Sequence, residues 1–158
     1  MDFSVPIGKL IAEMGFNLLT GGGSGVMLKA SEAFFDVANR RGRNIGIVPS
    51  TLDVSGRYIP NPGYPNRFVE IPIYTPLPAM SSDDPEKPNR NYVNILTSSV
   101  VVALPGNTGT RNEIELSLRF GKPLMLFCPE GFFHDVDKDV PRTDNIEEVR
   151  AFIKSKTA

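Results

Sequence analysis

The sequence predicts an α/β fold, a Rossmann-like arrangement in which helices cover both faces of a parallel sheet in three layers. Three observations predict it. Short apolar segments alternate with segments of helical periodicity, two of these apolar segments run directly into glycine-containing turns that open helices, and no repeat or change of composition divides the 158 residues. Alternating strands and helices usually form a parallel sheet with both faces covered. We therefore expect a single domain over residues 1–158.

The first half of the chain is predicted to contain two helices and three strands. Ile7, Leu10, Ile11 and Met14 recur at helical spacing, so the chain is expected to open with a helix that Gly15 ends. The elements that follow are a strand over 16–20, a helix over 26–41, a strand over 44–48, a loop over 50–66 that is rich in Pro, Gly, Asn and Ser, and a strand over 68–74.

The second half is predicted to continue the alternation. The expected elements are a loop over 76–88, a helix over 89–97, a strand over 99–104, a helix over 110–120, a strand over 124–128 and a loop through 141. Asp144 together with Glu147 is expected to cap a final helix. The helix over 110–120 carries two apolar stripes, Ile114 with Leu118 and Leu116 with Phe120. Because a helix that is apolar on two sides needs a second partner, we expect a homodimer that uses this helix.

The most informative stretch is PGNTGTRNE, residues 105–113, which lies between a predicted strand and a predicted helix. Its glycines and asparagine permit a sharp turn, and the free N–H groups of the following helix, with nearby hydroxyls, form a natural cradle for phosphate. The predicted phosphate-binding residues are Gly106, Asn107, Thr108, Gly109 and Thr110. Glu113 would be repelled by phosphate, so we expect it to act on a neighbouring group. The alternative is a structural turn in which Thr110 caps the helix and Glu113 completes a capping box.

A second turn of the same kind lies at residues 20–25, TGGGSG, after the first predicted strand. Gly22, Gly23 and Gly25 are predicted to help bind the ligand, because so many glycines are costly in a mere connection. Close packing of helix on strand is the alternative for one or two of them. The turn is not a Walker A loop, because no Gly-Lys-Ser/Thr follows it, and Leu28 breaks the dinucleotide pattern. Two such turns at strand ends favour a ligand crevice.

Composition excludes several classes of function. The formal net charge is −1 with no basic block, which does not favour nucleic acid or anionic membranes as partners. No apolar run approaches the ~20 residues of a membrane span and no signal peptide is visible, so we expect a cytoplasmic protein. Cys128 is the single cysteine and His134 the single histidine. An internal disulfide is therefore excluded, and neither a zinc site nor a histidine-based catalytic triad is expected.

Three segments resemble the LONELY GUY and molybdenum-cofactor-carrier superfamily, whose members are often labelled lysine decarboxylase-like. They are TGGGSGVM at 20–27, IGIVP at 45–49 and ALPGNTGTRNEIELSLRFGKP at 103–123, in the order and spacing of that superfamily. The signature P-G-G-x-G-T-x-x-E is kept except at Asn107, which replaces the second glycine. The resemblance implies a fold whose sheet starts with a strand at its centre. No β-rich segment precedes Val5; we expect the sheet to lack this strand or another segment to take its place.

The resemblance also implies roles for residues on the helix before the signature strand. Arg90 matches an arginine that works with the signature glutamate in the cytokinin-activating branch, whereas Asn91 replaces the lysine of that branch. Asn94, one turn further on, is closer to the carrier and uncharacterised bacterial branches. Arg90 can neutralise a phosphate or orient Glu113. The alternative is a solvated arginine on an exposed helix start.

Two functions follow from the resemblance. The first is a phosphoribohydrolase that releases the base from a nucleoside 5′-monophosphate, with Glu113 and Arg90 as catalytic residues and no metal or cofactor. The second is a non-catalytic carrier or sensor that grips molybdenum cofactor or a nucleotide through the same loops; the sequence favours the first slightly. Lysine decarboxylation has little support, because pyridoxal phosphate needs a lysine base and no local pattern marks Lys29 or Lys122 as one.

Overall fold

The computed structural model describes residues 2–80, 83–84 and 86–158. These residues form five helices and seven strands in the alternating order that the sequence predicts. In chain order they are α1 Ser4–Glu13, β1 Leu18–Thr20, α2 Val26–Phe35, β2 Asn44–Leu52, β3 Tyr58–Pro60, β4 Ile71–Thr75, α3 Arg90–Thr97, β5 Val101–Ala103, α4 Thr108–Arg119, β6 Leu124–Phe127, β7 Arg142–Thr143 and α5 Ile146–Thr157.

The strands form two groups. In the first, the long strand β2 pairs in parallel with β1 and β4, while its carboxyl-terminal end pairs antiparallel with β3. In the second, β5, β6 and β7 are all parallel. The predicted α/β fold with a parallel sheet is confirmed. Within the described residues no strand pairs with the free edge of β1 or of β5.

Helices form a layer on each side of these strands. The helix α1 packs closely on α2 and also contacts α5, whereas α3 packs on α4. One core cluster joins α1, α2 and α5 to the strands, with Phe34 and Val149 fully buried and Phe3 edge-on to Phe127 at 4.7 Å between ring centres. A second, smaller cluster packs Ile114 of α4 against β6. No helix in the part of the chain that the structure describes is long and apolar enough to cross a membrane.

The predicted loop over 50–66 is wrong in part, because it contains the hairpin formed by β2 and β3. Oδ1 of Asp53 accepts hydrogen bonds from the N–H groups of Ser55 and Arg57 at 2.8 and 2.9 Å. This turn brings Ser50–Leu52 opposite Tyr58–Pro60. The Pro- and Gly-rich composition of the segment concealed the pairing. Residues 81, 82 and 85 of the predicted loop over 76–88 lie outside the described residues.

Two helix boundaries also differ from the prediction. The second helix ends at Phe35 and not near residue 41, and Asn39 has a left-handed φ of 58° that a helix cannot contain. Arg40 then lies over the rings of Phe34 and Phe35, 5.3 and 4.8 Å from their centres, and pairs with Glu70 at 2.8 Å. The last helix is capped by Asn145 instead of Asp144, since the Asn145 side chain accepts from the N–H of Glu147 at 2.9 Å.

Candidate functional site

The two glycine-containing turns meet at one cavity of about 950 Å³. The cavity opens where β1 and β5 end and continues between these two strands. Among the predicted site residues, those that line it are Arg90, Asn94, Gly106, Asn107, Gly109, Thr110 and Glu113. Gly22, Gly23, Gly25 and Thr108 do not line it. The structure thus brings most of the predicted site together, and the signature loop contributes more of it than the first glycine turn.

The first glycine turn is shaped by its backbone. Gly22 and Gly25 have φ of 70° and 65°, a conformation that side chains with a Cβ rarely adopt. Asn66 holds the turn: its N–H donates to the carbonyl of Gly22 at 2.7 Å and its Nδ2 to that of Gly23 at 3.0 Å. The neighbouring Gly21 and Ser24 reach the cavity. The turn therefore forms one wall of the site through residues beside those that we predicted.

The signature loop presents free N–H groups at the start of α4. Asn107 occupies the N-cap position with extended backbone, and its side chain makes no capping hydrogen bond. The N–H groups of Thr108, Gly109 and Thr110 open the helix and so have no intrahelical partner, and the Asn107 side chain does not satisfy them. Gly106 packs so closely on Thr110 that a Cβ at position 106 would lie 2.1 Å from the Thr110 hydroxyl oxygen. The capping-box alternative is wrong, because Thr110 lies inside the helix.

A pair of asparagines connects this loop to the neighbouring helix. Nδ2 of Asn91 donates to Oδ1 of Asn112 at 3.0 Å and to the carbonyl of Gly109 at 3.5 Å, and both asparagines are buried. The side chain of Asn89 caps α3 by accepting from the N–H of Asn91. These contacts fix the start of α3 against the start of α4.

Glu113 lies in the cavity and is held by Asn94. Nδ2 of Asn94 donates to Oε1 of Glu113 at 2.9 Å. Burial raises the pKa of the Glu113 carboxyl above its ordinary value of about 4.5, and the hydrogen bond from Asn94 and the positive charge of Arg90 offset this only in part. Glu113 therefore keeps its proton to a higher pH than an exposed glutamate does.

The other amide atom of Asn94 is unsatisfied. The residue is only 6% exposed, and its Oδ1 has no hydrogen-bond partner among the described residues. A buried acceptor without a donor costs about 1–3 kcal/mol. Because Asn94 lines the cavity beside Glu113, a covered oxygen acceptor without a donor lies next to the carboxyl group of the site.

Arg90 stands between the main cavity and a second one. Its Nη1 donates to the hydroxyl of Tyr64 at 3.1 Å, and its guanidinium lies 5.3 Å from the centre of that ring. It lines the main cavity and also a neighbouring cavity of about 450 Å³ formed with Tyr64, Ser50 and Leu77. Arg90 is half-buried, unlike the solvated arginine of the alternative interpretation.

Sequence reasoning missed three residues of this neighbourhood, namely Tyr64, Asn66 and Asn112. The first two lie in the segment predicted as a plain loop, and the motif draws attention to the glutamate that follows Asn112 and not to Asn112 itself. The one signal for Asn112 was a polar amide side chain on the helix face that was expected to be buried, where such a group needs a hydrogen-bond partner.

In the described residues no cluster of three or more His, Cys, Asp or Glu side chains is arranged to hold a metal ion.

Comparisons with known proteins agree with the motifs. A family model described as the SLOG cluster4 family matches residues 2–157. A solved molybdenum cofactor carrier protein from Chlamydomonas reinhardtii is 29% identical, with a TM-score of 0.71, over 97% of this chain and 84% of its own. A molybdenum cofactor binding protein from the phototrophic bacterium Rippkaea orientalis is 30% identical, with a TM-score of 0.74, over 98% and 86%. An uncharacterised protein from Archaeoglobus fulgidus is 27% identical over 123 residues, which are 78% of this chain and 67% of that protein.

Proposed function

The chain belongs to the SLOG cluster4 family, and we propose that it binds a phosphate-bearing heterocyclic cofactor of the molybdopterin or nucleotide class and releases it unchanged. One observation carries this proposal: the cavity joins the uncapped start of α4 to Asn94 and Glu113, yet Glu113 is the one acid that lines it within the described residues, and no histidine does. Such a site can hold a ligand tightly without a second group for acid–base chemistry.

The phosphate is proposed to rest on the signature loop. The free N–H groups at the start of α4 and the hydroxyl of Thr110 supply donors, and the positive end of the helix favours negative charge there. Arg90 is the one cation that lines the cavity within the described residues, and it can reach the anion by leaving Tyr64. The buried Asn91–Asn112 pair keeps the loop in shape before the ligand arrives.

The heterocycle or sugar of the ligand is proposed to face Asn94 and Glu113. Oδ1 of Asn94 lacks a donor, and the free oxygen of Glu113 can accept as well. Ring N–H and amino groups, or ribose hydroxyls, would donate to Glu113, and to Asn94 once its amide turns toward the cavity. The names of the two solved relatives, a carrier and a binding protein for molybdenum cofactor, support a pterin ligand.

A phosphoribohydrolase is the second candidate, and the raised pKa of Glu113 is the observation that favours it. A carboxylic acid that keeps its proton can protonate the leaving base of a nucleoside 5′-monophosphate, and Arg90 can hold its phosphate. The same cavity would then perform hydrolysis in place of storage.

Incubation of the protein with AMP, and separately with molybdenum cofactor, distinguishes the two. A carrier is expected to bind its ligand with 1:1 stoichiometry and to release no free base over hours. Replacement of Arg90 by alanine should weaken binding about 10- to 100-fold, the usual effect of losing a hydrogen bond to a charged group, while Arg67→Ala, which removes an exposed arginine, should not.

Release of adenine from AMP that is lost in Glu113→Gln but retained in Glu115→Gln, a change at an exposed glutamate on the same helix, would overturn the carrier proposal in favour of the hydrolase. Absence of binding to either ligand would contradict both functions.

We further propose that the protein is a homodimer that uses the outer side of α3 and α4. Leu96, Leu118 and Phe120 are 51%, 48% and 41% exposed, and Tyr92 packs on Phe120. Leu118→Lys is expected to convert a dimer at micromolar concentration into a monomer, whereas Val54→Lys, at a fully exposed hairpin position, should leave the dimer intact. Light scattering measures the mass. A monomeric unaltered protein would exclude the dimer.

A further inference from the structure

The neighbouring cavity of about 450 Å³, called the small cavity below, takes no part in the proposed function apart from its contact with Arg90. It is lined by residues 49–51 near the end of β2, by residues 61, 62 and 64 after β3, and by residues 76–79 after β4. Ligands of α/β sheets bind outside the carboxyl ends of the parallel strands. The small cavity has this position at β2 and β4, as the main cavity has it at β1 and β5, and its volume is that of a small-molecule site.

The walls of the small cavity are held in place by main-chain hydrogen bonds. The N–H of Asn61 donates to the carbonyl of Pro49 at 2.9 Å, and that of Tyr64 donates to the carbonyl of Asn61 at 3.1 Å. On the opposite wall the N–H of Arg90 donates to the carbonyl of Pro78 at 3.0 Å. Because proline fixes its own φ, these segments are also stiff. The small cavity is therefore formed before a ligand arrives.

The lining of the small cavity suits a planar ring. Within the described residues four prolines line it, and the ring of Tyr64 adds a further flat surface. Mostly apolar and aromatic walls with few polar groups are typical of sites that bind heterocycles. The hydroxyl of Ser50 is already used, because it donates to the carbonyl of Val48 at 3.0 Å. Thr51 and Asn61 remain to contact polar atoms of such a ring.

The charge of the small cavity suits an anion. Arg90 is the one charged residue that lines it in the described part of the chain, and the same guanidinium lines the main cavity. Nη1 of Arg90 donates to the hydroxyl of Tyr64, and no other described residue accepts a hydrogen bond from this guanidinium. A guanidinium has several donors in a fork that matches phosphate oxygens. Arg90 can therefore bind anionic groups that reach it from both cavities.

The contact between Arg90 and Tyr64 separates the two cavities, and a ligand can replace it. A phosphate oxygen is a stronger acceptor for a guanidinium than a neutral hydroxyl is. Tyr64 also packs against the first glycine turn, since a Cβ at Gly23 would lie 2.9 Å from Cε1 of its ring. The ring is thus held beside Arg90 from the other side as well, and its face stays available to a ligand in the small cavity.

We propose that the small cavity is the second half of one ligand site, and that the ligand is of the dinucleotide class, with two heterocycles joined through a pyrophosphate. The inference rests on the proposed function for the first heterocycle and for the phosphate on the signature loop. The second phosphate lies on Arg90, and the second nucleoside occupies the small cavity with its base against Tyr64 and the prolines.

Titrations with AMP, ADP and diadenosine diphosphate test the proposal, because ADP adds a phosphate to AMP and the dinucleotide adds a second nucleoside to ADP. The dinucleotide is expected to bind at least about tenfold more tightly than ADP, since its second half binds at a high effective concentration once the first is bound. The NMR signals of Thr51 and Asn61 should shift with the dinucleotide and stay unchanged with AMP.

Thr51→Trp is the matching change in the protein. Thr51 is an exposed residue of β2 that lines the small cavity, so a tryptophan there should fill the cavity, remove the gain of the dinucleotide over ADP and leave the binding of AMP unchanged. Leu52→Trp is the control, because Leu52 is 55% exposed, points to the opposite face of the strand and does not line the cavity. If Thr51→Trp fails to fold, the three ligands and the shifts decide.

Binding of AMP without a gain for the dinucleotide, or an equal loss of the gain in both variants, would overturn this inference and leave the proposed function in place. Absence of binding of all three nucleotides would also overturn it, whereas the proposed function would stand if molybdenum cofactor binds. Shifts at Thr51 and Asn61 without any shift in the signature loop would support a nucleoside site in the small cavity and contradict the proposed function.

Discussion

Replacement of Gly42 by alanine is expected to lower the free energy of unfolding by about 3 kcal/mol, the range of strong overpacking. A Cβ at this position would lie 1.8 Å from the carbonyl oxygen of Phe16 and 2.4 Å from its carbonyl carbon. These are backbone atoms just before β1, so no side-chain rotation can relieve the clash. If the segments that contain Gly42 and Phe16 moved apart to relieve the clash, the hydrogen bond from the N–H of Leu18 to the carbonyl of Arg43, which begins the β1–β2 pairing, would break.

For a domain of this size such a loss lowers the melting temperature by about 6–12 °C, which circular dichroism can measure. The matched control is Gly109→Ala, because a Cβ there meets no heavy atom within 4 Å and the residue lies in α4. Alanine should be neutral or raise stability by up to about 1 kcal/mol there. Equal melting temperatures for Gly42→Ala and the unaltered protein would contradict the packing described for the start of β2.

The alternation of strands and helices in this fold could be predicted because each element is marked by residues within its own stretch of sequence. Apolar runs marked the strands, and the glycine-containing turns marked the ends of β1 and β5 where ligands meet an α/β sheet. The hairpin of β2 and β3 could not be predicted in the same way. It depends on Asp53 accepting two backbone hydrogen bonds across a turn, and a polar, proline-rich segment has no alternating pattern that would reveal this.

The candidate site shows the same division. The motif at 105–113 pointed to Glu113 and to the free amides of the signature loop because both belong to one stretch of chain. The hydrogen-bond partner of Glu113 was harder to predict, because only the family resemblance pointed to Asn94. That Oδ1 of Asn94 is unsatisfied follows from the packing of α3 on α4, which the sequence does not show. Tyr64, which holds Arg90, comes from a third segment. Contacts between distant segments set the electrostatics of the site, and a linear pattern does not contain them.

A Glu113→Gln protein is expected to become more stable than the unaltered protein as the pH rises above about 4.5. Burial raises the pKa of Glu113 in the folded state, so between its unfolded value of about 4.5 and its folded value the folded protein binds more protons than the unfolded chain. The stability of the unaltered protein then falls with rising pH, by at most about 1.4 kcal/mol per pH unit from this one group, and levels off above the folded pKa. Glutamine resembles the neutral acid, can still accept from Nδ2 of Asn94, and does not titrate.

Urea unfolding at half-unit steps from pH 3.5 to 8.5 measures the difference in unfolding free energy between the two proteins, in which the titration of all other groups cancels. The difference should be constant below pH 4 and should grow in favour of Glu113→Gln above it, whereas Glu115→Gln, at an exposed position of the same helix, should give a small difference at every pH. A difference that stays flat across the whole range would mean that the positive charge of Arg90 and the amide of Asn94 fully offset the cost of burying the carboxylate. Glu113 would then be ionised in the folded protein at the same pH as in the unfolded chain, and it would lack the retained proton on which a general-acid role in hydrolysis depends. A growing difference would instead show that the fold accepts a loss of stability at neutral pH to keep a carboxyl group inside the cavity, as expected for a residue retained for its contact with a ligand.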